Sequence, residues 1–184
     1  MADETPTRTP AGRGPAITVD PVRRRRVLGA LGGNHVRFCY QCGACVGDCP
    51  SARFHPGFNP REIMLLALLG ALDRLIAPDG IIWRCSNCYT CYERCPQDVR
   101  PVDVILALKS LACEDGTAPA EVVEVAESIR RTGRSAPVLA SLAAKRAQLG
   151  LPPLPPVDVA EIAVLLAPEK AADAPTHPPR EEGA

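Results

Sequence analysis

The sequence has little of what usually holds a domain of its length together. Only 4% of its 184 residues are aromatic, and prolines number 20, so a core of ordinary density cannot extend along the whole chain. Some other source of cohesion is needed. Charge of one sign is also missing: 21 Lys and Arg balance 21 Asp and Glu, which removes the electrostatic case for nucleic acid. The longest apolar run, Ile63 to Leu72, is ten residues, where a bilayer span needs about 20. This excludes a transmembrane segment. No stretch alternates apolar and polar residues as a half-buried strand does, so the expected fold class is all-α. There is no GxGxxG for a flavin or nicotinamide, no P-loop, and no adjacent pair of cysteines.

No export signal is expected either. The arginines of "RRRRVLGALGG" (23–33) precede an apolar stretch as short as the shortest signal cores, and three glycines and "NHVRFC" interrupt it before any cleavage site. The segment reads as a short basic helix stopped by Gly32 and Gly33, in a protein of a reducing cytoplasm.

Composition divides the chain into a cysteine-bearing middle and two plain flanks. Residues 1–20 lack any hydrophobic period and are expected to be disordered, 21–150 to form one domain, and 151–184 to be a proline-rich tail. Within the middle, "FNPREIMLLALLGALDRLIAPDG" predicts a helix. Asn59 caps it, Pro60 fits its first turn, Glu62 takes the capping-box position, and Pro78 to Gly80 end it. Its apolar residues wrap most of the way round, which requires burial on several sides or cover by another subunit.

"PVDVILALKSLACEDG" predicts a second helix, with Val102, Ile105, Leu108, Leu111 and Ala112 at helical spacing. "APAEVVEVAESIRRTG" predicts a third that closes at Gly133, and 138–150 a fourth. The apolar "VDVAEIAVLLAP" (157–168) reads equally as a docking helix or as part of the tail.

Eight of the nine cysteines lie in two runs with one internal spacing, "CYQCGACVGDCP" and "CSNCYTCYERCP". Each reads C-x2-C-x2-C-x3-C-P: Cys39, Cys42, Cys45 and Cys49, then Cys85, Cys88, Cys91 and Cys95. Three thiolates on one loop reach different irons of a cubane, and the fourth, four residues on and followed by proline, points away. In two-cluster ferredoxins that fourth cysteine ligates the other cluster. Two [4Fe–4S] clusters are therefore expected, one on Cys39, Cys42, Cys45 and Cys95, the other on Cys85, Cys88, Cys91 and Cys49. Bonds to iron then clamp remote segments and offset the thin aromatic core. Gly43 and Gly47 would let the backbone approach a cluster, although a turn glycine needs no such reason.

Three other readings explain less. A zinc site takes four ligands, typically two CxxC pairs, and leaves the third evenly spaced cysteine without a use. A disulfide framework needs an oxidising compartment. Cysteines serving only as core residues would not repeat one spacing twice. Cys113, outside both runs, reads as a small buried hydrophobe on a helix face. His35 and His55 stand isolated, so no catalytic residue is expected on this chain.

The block from "NHVRFCYQCGACVGDCP" through "NPREIMLLALLG" to "IIWRCSNCYTCYERCPQDVRPVDVILALK" resembles the C subunit of heterodisulfide reductases, over roughly residues 30–135. The resemblance implies an α-helical ferredoxin-like dicluster fold with flexible tails outside it. It also implies an electron-transfer role, relaying electrons between a flavoprotein like the family's A subunit and a catalytic protein with double Cys-Cys motifs like its B subunit. All eight cysteines carry over. The bias toward Ala, Arg and Pro suits a high-GC bacterium, so a sulfur-oxidising or otherwise rewired complex fits as well as reduction of the coenzyme M and coenzyme B heterodisulfide. Two alternatives stay open: the iron–sulfur subunit of a glycolate, glycerol-3-phosphate or succinate dehydrogenase-like complex, and an Fe–S redox-sensing module.

Overall fold

The structure, a computed structural model, describes residues 17–167. The expected disordered stretch lies outside the described residues up to position 16, and the expected tail does so from position 168. Every regular element among the described residues is an α-helix or a 3-10 turn, so the fold is all-α. None of these helices is long and apolar enough to cross a membrane. The chain divides into two compact units that part between Pro119 and Ala120.

The first unit opens with α1 (Pro21–Gly29), capped by the Asp20 carboxylate, which accepts the N–H of Val22 at 2.8 Å and of Arg23 at 3.0 Å. The basic helix expected here exists, but it ends at Gly29, ahead of the Gly32–Gly33 pair. Gly32, at φ 80°, instead opens a 3-10 turn over Gly33–Phe38 that delivers the chain to Cys39. Then follow α2 (Ala44–Gly47), α3 (Pro50–Phe54) and α4 (Pro60–Leu69). A second 3-10 turn, Ile81–Arg84, leads into Cys85, and α5 (Thr90–Glu93) and α6 (Pro101–Glu114) complete the unit. Both cysteine runs thus pass through the same sequence of elements: a 3-10 turn, a one-turn helix, then a proline-led helix.

Asn59 and Pro60 start α4 where the sequence places them, and the Asn59 side chain accepts the Glu62 N–H at 3.2 Å. The end of this helix differs from expectation. It stops at Leu69 rather than running on to Pro78. Gly70 adopts φ 70°, with its N–H bonded to the Ala67 carbonyl and the Ala71 N–H bonded to that of Leu66, the paired bonds of a Schellman cap. A Cβ here would lie 2.0 Å from the Asp20 carbonyl oxygen, so the site requires glycine for space as well as for conformation. Leu72, Leu75 and Ile76 are buried all the same, on turns rather than on a helix.

The core joins α4, α6, α1 and the two 3-10 turns through Val27, Val36, Ile63, Met64, Leu72, Leu75, Ile82, Ile105 and Leu108, all nearly inaccessible. Each such side chain contributes about 1.5–3 kcal/mol through burial. The all-round apolar character of α4 is answered by burial on several sides, with Arg61, Glu62 and Leu65 left facing out. On α6 the stripe Val102, Ile105, Leu108, Leu111 and Ala112 is buried as its spacing predicts. Cys113 is exposed, contrary to expectation. It shares its side of the helix with Lys109 and Ser110 at i−4 and i−3, not with the apolar stripe.

The second unit holds α7 (Ala120–Thr132), α8 (Ala140–Gln148) and α9 (Val159–Leu165). Within the stretch from 157, Val159–Leu165 forms a helix, capped by Asp158 and packed on α7. No described residue of this unit is fully buried.

Candidate functional site

Each cysteine run wraps its own hollow, and each hollow borrows its fourth sulfur from the other run. Cys39, Cys42 and Cys45 line the first together with Cys95. Cys85, Cys88 and Cys91 line the second together with Cys49. Both hollows are open to solvent on one side. The exchange extends past the cysteines. Pro96, Gln97 and Val99, which follow Cys95, wall the first hollow, and Ser51, which follows Cys49, walls the second. The buried Ser51 Oγ accepts the Ser86 N–H at 3.3 Å, tying the end of the first run to the start of the second. Asp48 and Arg94, each one residue before the fourth cysteine of its run, pair at 2.9 Å across the two runs.

The backbone plan of the two runs is the same. Gln41 (φ 58°) and Asn87 (φ 51°) are left-handed, and so are Gly43 (φ 86°) and Tyr89 (φ 61°), at matching places in the C-x2-C-x2-C spacers. The remaining non-glycine residues of this kind among those described, Asp98 and Arg100, directly follow the second run. Left-handed residues alternating with residues of negative φ turn successive N–H groups toward one side, making the anion-binding concavity common at Fe–S sites. For Gln41, Asn87 and Tyr89 this conformation costs about 1–2 kcal/mol each, the kind of strain that concentrates at functional sites. Nothing lies within 4 Å of a Cβ added at Gly43 or Gly47, so Gly43 serves its backbone conformation.

Hydrogen bonds also reach the sulfurs. The Gln41 side-chain amide donates to Cys39 Sγ at 3.3 Å, and the Val99 N–H donates to Cys95 Sγ at 3.3 Å. The Thr90 hydroxyl lies 3.4 Å from Cys88 Sγ and holds that thiol below its ordinary range. Burial has the opposite effect deeper in. It pushes Cys45 up to about 11 and Cys91 up to about 12, with the neighbouring thiolates of each hollow adding to the rise. Cys85 is also raised by burial, and Lys109 partly counters this. Four thiolates facing one another in a half-buried hollow repel, so without a cationic core the deeper ones favour the neutral thiol, and a cationic core would stabilise the four as thiolates.

The residues present therefore fit iron–sulfur clusters. Among the described residues no three His, Cys, Asp or Glu side chains converge tightly enough for one ion. A single zinc would draw four sulfurs to about 2.3 Å from one centre, whereas a cubane spreads its four ligands over four irons.

Several wall residues were not foreseen from sequence. Arg61 and Met64 line the first hollow from α4, and Val102 and Ile105 line the second from α6. Both pairs are spaced i,i+3, which puts each on one helix face. That spacing, on the helices next to each motif, was the available signal. The isolated histidines stay apart from both hollows: His35 Nδ1 lies 3.2 Å from the Asp98 carbonyl oxygen, and His55 is exposed.

An all-α chain with two thiolate-lined hollows defines an iron–sulfur protein of helical architecture. The family model of the 4Fe-4S dicluster domain matches residues 35–99. The chain is 38% identical over 126 residues to the second iron–sulfur C subunit of the CoB–CoM heterodisulfide reductase of Methanocaldococcus jannaschii, covering 68% of this chain and 66% of that protein. It is 40% identical to the corresponding C subunit of Methanopyrus kandleri, over 66% of this chain and 62% of the relative. To the C subunit of the ferredoxin:CoB–CoM heterodisulfide reductase of Methanosarcina mazei it is 38% identical, over 71% and 78% respectively. The chain belongs to the family of heterodisulfide reductase C subunits. It spans slightly under two thirds of the length of the first two relatives.

Proposed function

We propose that this chain is the electron-relay subunit of a heterodisulfide reductase-like complex, and that it holds two [4Fe–4S] clusters with crossed ligands. Cys39, Cys42, Cys45 and Cys95 hold one, and Cys85, Cys88, Cys91 and Cys49 hold the other. The observation that carries this reading is the exchange of the fourth sulfur between the two hollows. When bound, such clusters supply one-electron transfer. With four thiolates per cluster no iron is left open to a substrate, so the disulfide is reduced on another subunit.

The protein's own groups prepare the hollows for that role. Left-handed backbone at Gln41, Gly43, Asn87 and Tyr89 suits the concave N–H arrangement that binds anions, and Gln41, Val99 and Thr90 address individual sulfurs. Cys42 and Cys88 are exposed, one in each run, so each hollow has a side open to a redox partner. The partners that suit these two sides are a flavoprotein of the A-subunit type and a double-Cys-Cys protein of the B-subunit type.

The test uses the whole chain, loaded and reduced anaerobically, with reoxidation followed on adding a CoB–CoM-type heterodisulfide or a simple disulfide. Turnover is expected only when a double-Cys-Cys protein is also added. Catalytic turnover by the chain alone would contradict the relay. Reoxidation unchanged by that protein would remove the reductase assignment and leave the clusters standing.

A further inference from the structure

Behind the second hollow stands a cation with a defined seat. α6 sends Val102 and Ile105 into the wall of that hollow and, one turn after Ile105, carries Lys109. The Lys109 ammonium donates to Asn87 Oδ1 at 3.3 Å, lies 3.5 Å from the Cys85 carbonyl oxygen and sits 5.8 Å from the centre of the Trp83 ring. Asn87 occupies the spacer between Cys85 and Cys88, so these contacts clamp the positive charge over the loop that carries two of the hollow's sulfurs. The side chain is half-buried. Burial pulls its ammonium below the ordinary lysine range, and the Cys85 thiolate pulls it back up.

The first hollow has a cation of another kind. Arg61 lines it but is exposed, where water and salt screen a charge. A half-buried charge acts through a lower effective dielectric and over a fixed distance. Reduction adds one negative charge to a cluster, so a fixed neighbouring cation favours the reduced form. The wall formed by Phe58, Val102 and Ile105 acts against it, because apolar surroundings disfavour added charge.

We propose that Lys109 raises the reduction potential of the cluster held by Cys49, Cys85, Cys88 and Cys91, offsetting the apolar wall around it. This rests on the two-cluster reading above. Lys109 does not ligate the cluster; its charge and the Asn87 clamp do the tuning, one of the levers by which proteins set Fe–S potentials.

The experiment is an EPR-monitored redox titration of the full, anaerobically loaded chain, with the two signals assigned by Cys39→Ala and Cys85→Ala. In Lys109→Gln, which keeps a hydrogen-bonding group but loses the charge, the signal tied to Cys85 is expected to shift to a lower midpoint. The expected size is about a tenfold change in its reduction equilibrium, about 59 mV for one electron. The signal tied to Cys39 stays in place, and Lys109→Arg restores the midpoint. An unchanged midpoint in Lys109→Gln, an equal shift of both signals, or a fall in Lys109→Arg as large as in Lys109→Gln would each overturn the proposal.

If Lys109→Gln does not retain iron, Asn87→Ala carries the same test, since it leaves the ammonium present but unclamped. A smaller fall confined to the same signal is then expected, and no fall would overturn the proposal. One cluster signal, or about four irons rather than eight in the unaltered chain, at four per cluster, would break the two-cluster reading itself.

Discussion

The first hollow opens beside Tyr40, Arg61 and Gln97, whereas the second is backed by Phe58, Val102 and Ile105 and overlooked by Lys109. Both hollows are open on one side and mostly apolar in lining, with Met64 and Val99 buried against the first and Phe58, Val102 and Ile105 against the second, so the contrast lies in single residues and above all in charge. Yet the two share a backbone plan down to the left-handed positions, and each takes one sulfur from the other's run. The ligand set is repeated, and the neighbouring cation is not: Arg61 is exposed at the first hollow and Lys109 half-buried beside the second. Two sites alike in ligation can therefore differ in potential through burial, hydrogen bonds and nearby charge, which a relay with a preferred direction requires.

Removing a buried wall residue from one hollow at a time breaks the comparison most severely. Met64 and Ile105 are both fully buried, one under each hollow. Truncation of either to Ala is expected to destabilise the fold by about 2–5 kcal/mol. Urea unfolding and iron release to a chelator measure the outcome. Met64→Ala should release iron first from the cluster tied to Cys39, and Ile105→Ala from the one tied to Cys85. Equal release from both clusters in both variants would mean that the two hollows are not separate environments.

A smaller effect sharpens the shared backbone plan. Gly43→Ala should cost about 1–2 kcal/mol from its left-handed conformation alone, because nothing lies within 4 Å of the added methyl. Tyr89→Gly, at the matching position, should be stabilising by a similar amount less the contact of its ring with Tyr92, whose centroid lies 6.3 Å away. Unfolding midpoints under anaerobic conditions test both. A neutral Gly43→Ala would show that the left-handed plan is dispensable in the first run.

The smallest effect lies away from both hollows and serves as a control. Arg26 donates to both Asp115 oxygens, at 2.8 and 3.0 Å, joining α1 to the end of α6, and holds that carboxyl below the ordinary aspartate range. A carboxyl lowered in the folded state adds stability above its unfolded pKa of about 3.9, and the gain is lost as pH falls through the folded value. Arg26→Ala should then cost up to about 1 kcal/mol near pH 7. The gap to the unaltered chain should close in acid and shrink in high salt, with neither cluster signal changed. A gap that persists at pH 2 would assign the effect to packing of the arginine stem.

Local features of this molecule were legible in its sequence, and features that depend on the rest of the fold were less so. The ligand spacing is local, so all eight cysteines and the proline after each run stood out, as did Asn59 and Pro60 at the start of α4. The stop at Gly70 did not, because Ala71, Leu72, Leu75 and Ile76 continue an apolar pattern that reads as helix and is buried on turns instead. The 3-10 turns that feed Cys39 and Cys85 were unmarked, since "GNHVRF" and "IIWR" carry no cap signature. Cys113 was misread because its own residue type suggested burial, while the polar types of its helical neighbours Lys109 and Ser110 marked that side as lying off the apolar stripe. Lys109 itself gave no sign in sequence: its role depends on the approach of Asn87, 22 positions earlier.

Crossed ligation is the claim on which the rest depends, and paired EPR spectra of single cysteine variants test it most directly. Cys95→Ala should remove the same signal as Cys39→Ala, although Cys95 belongs to the second run, and Cys49→Ala should remove the same signal as Cys85→Ala. If Cys95→Ala instead matches Cys85→Ala, each run closes its own cluster, and both the shared architecture and the relay built on it are wrong.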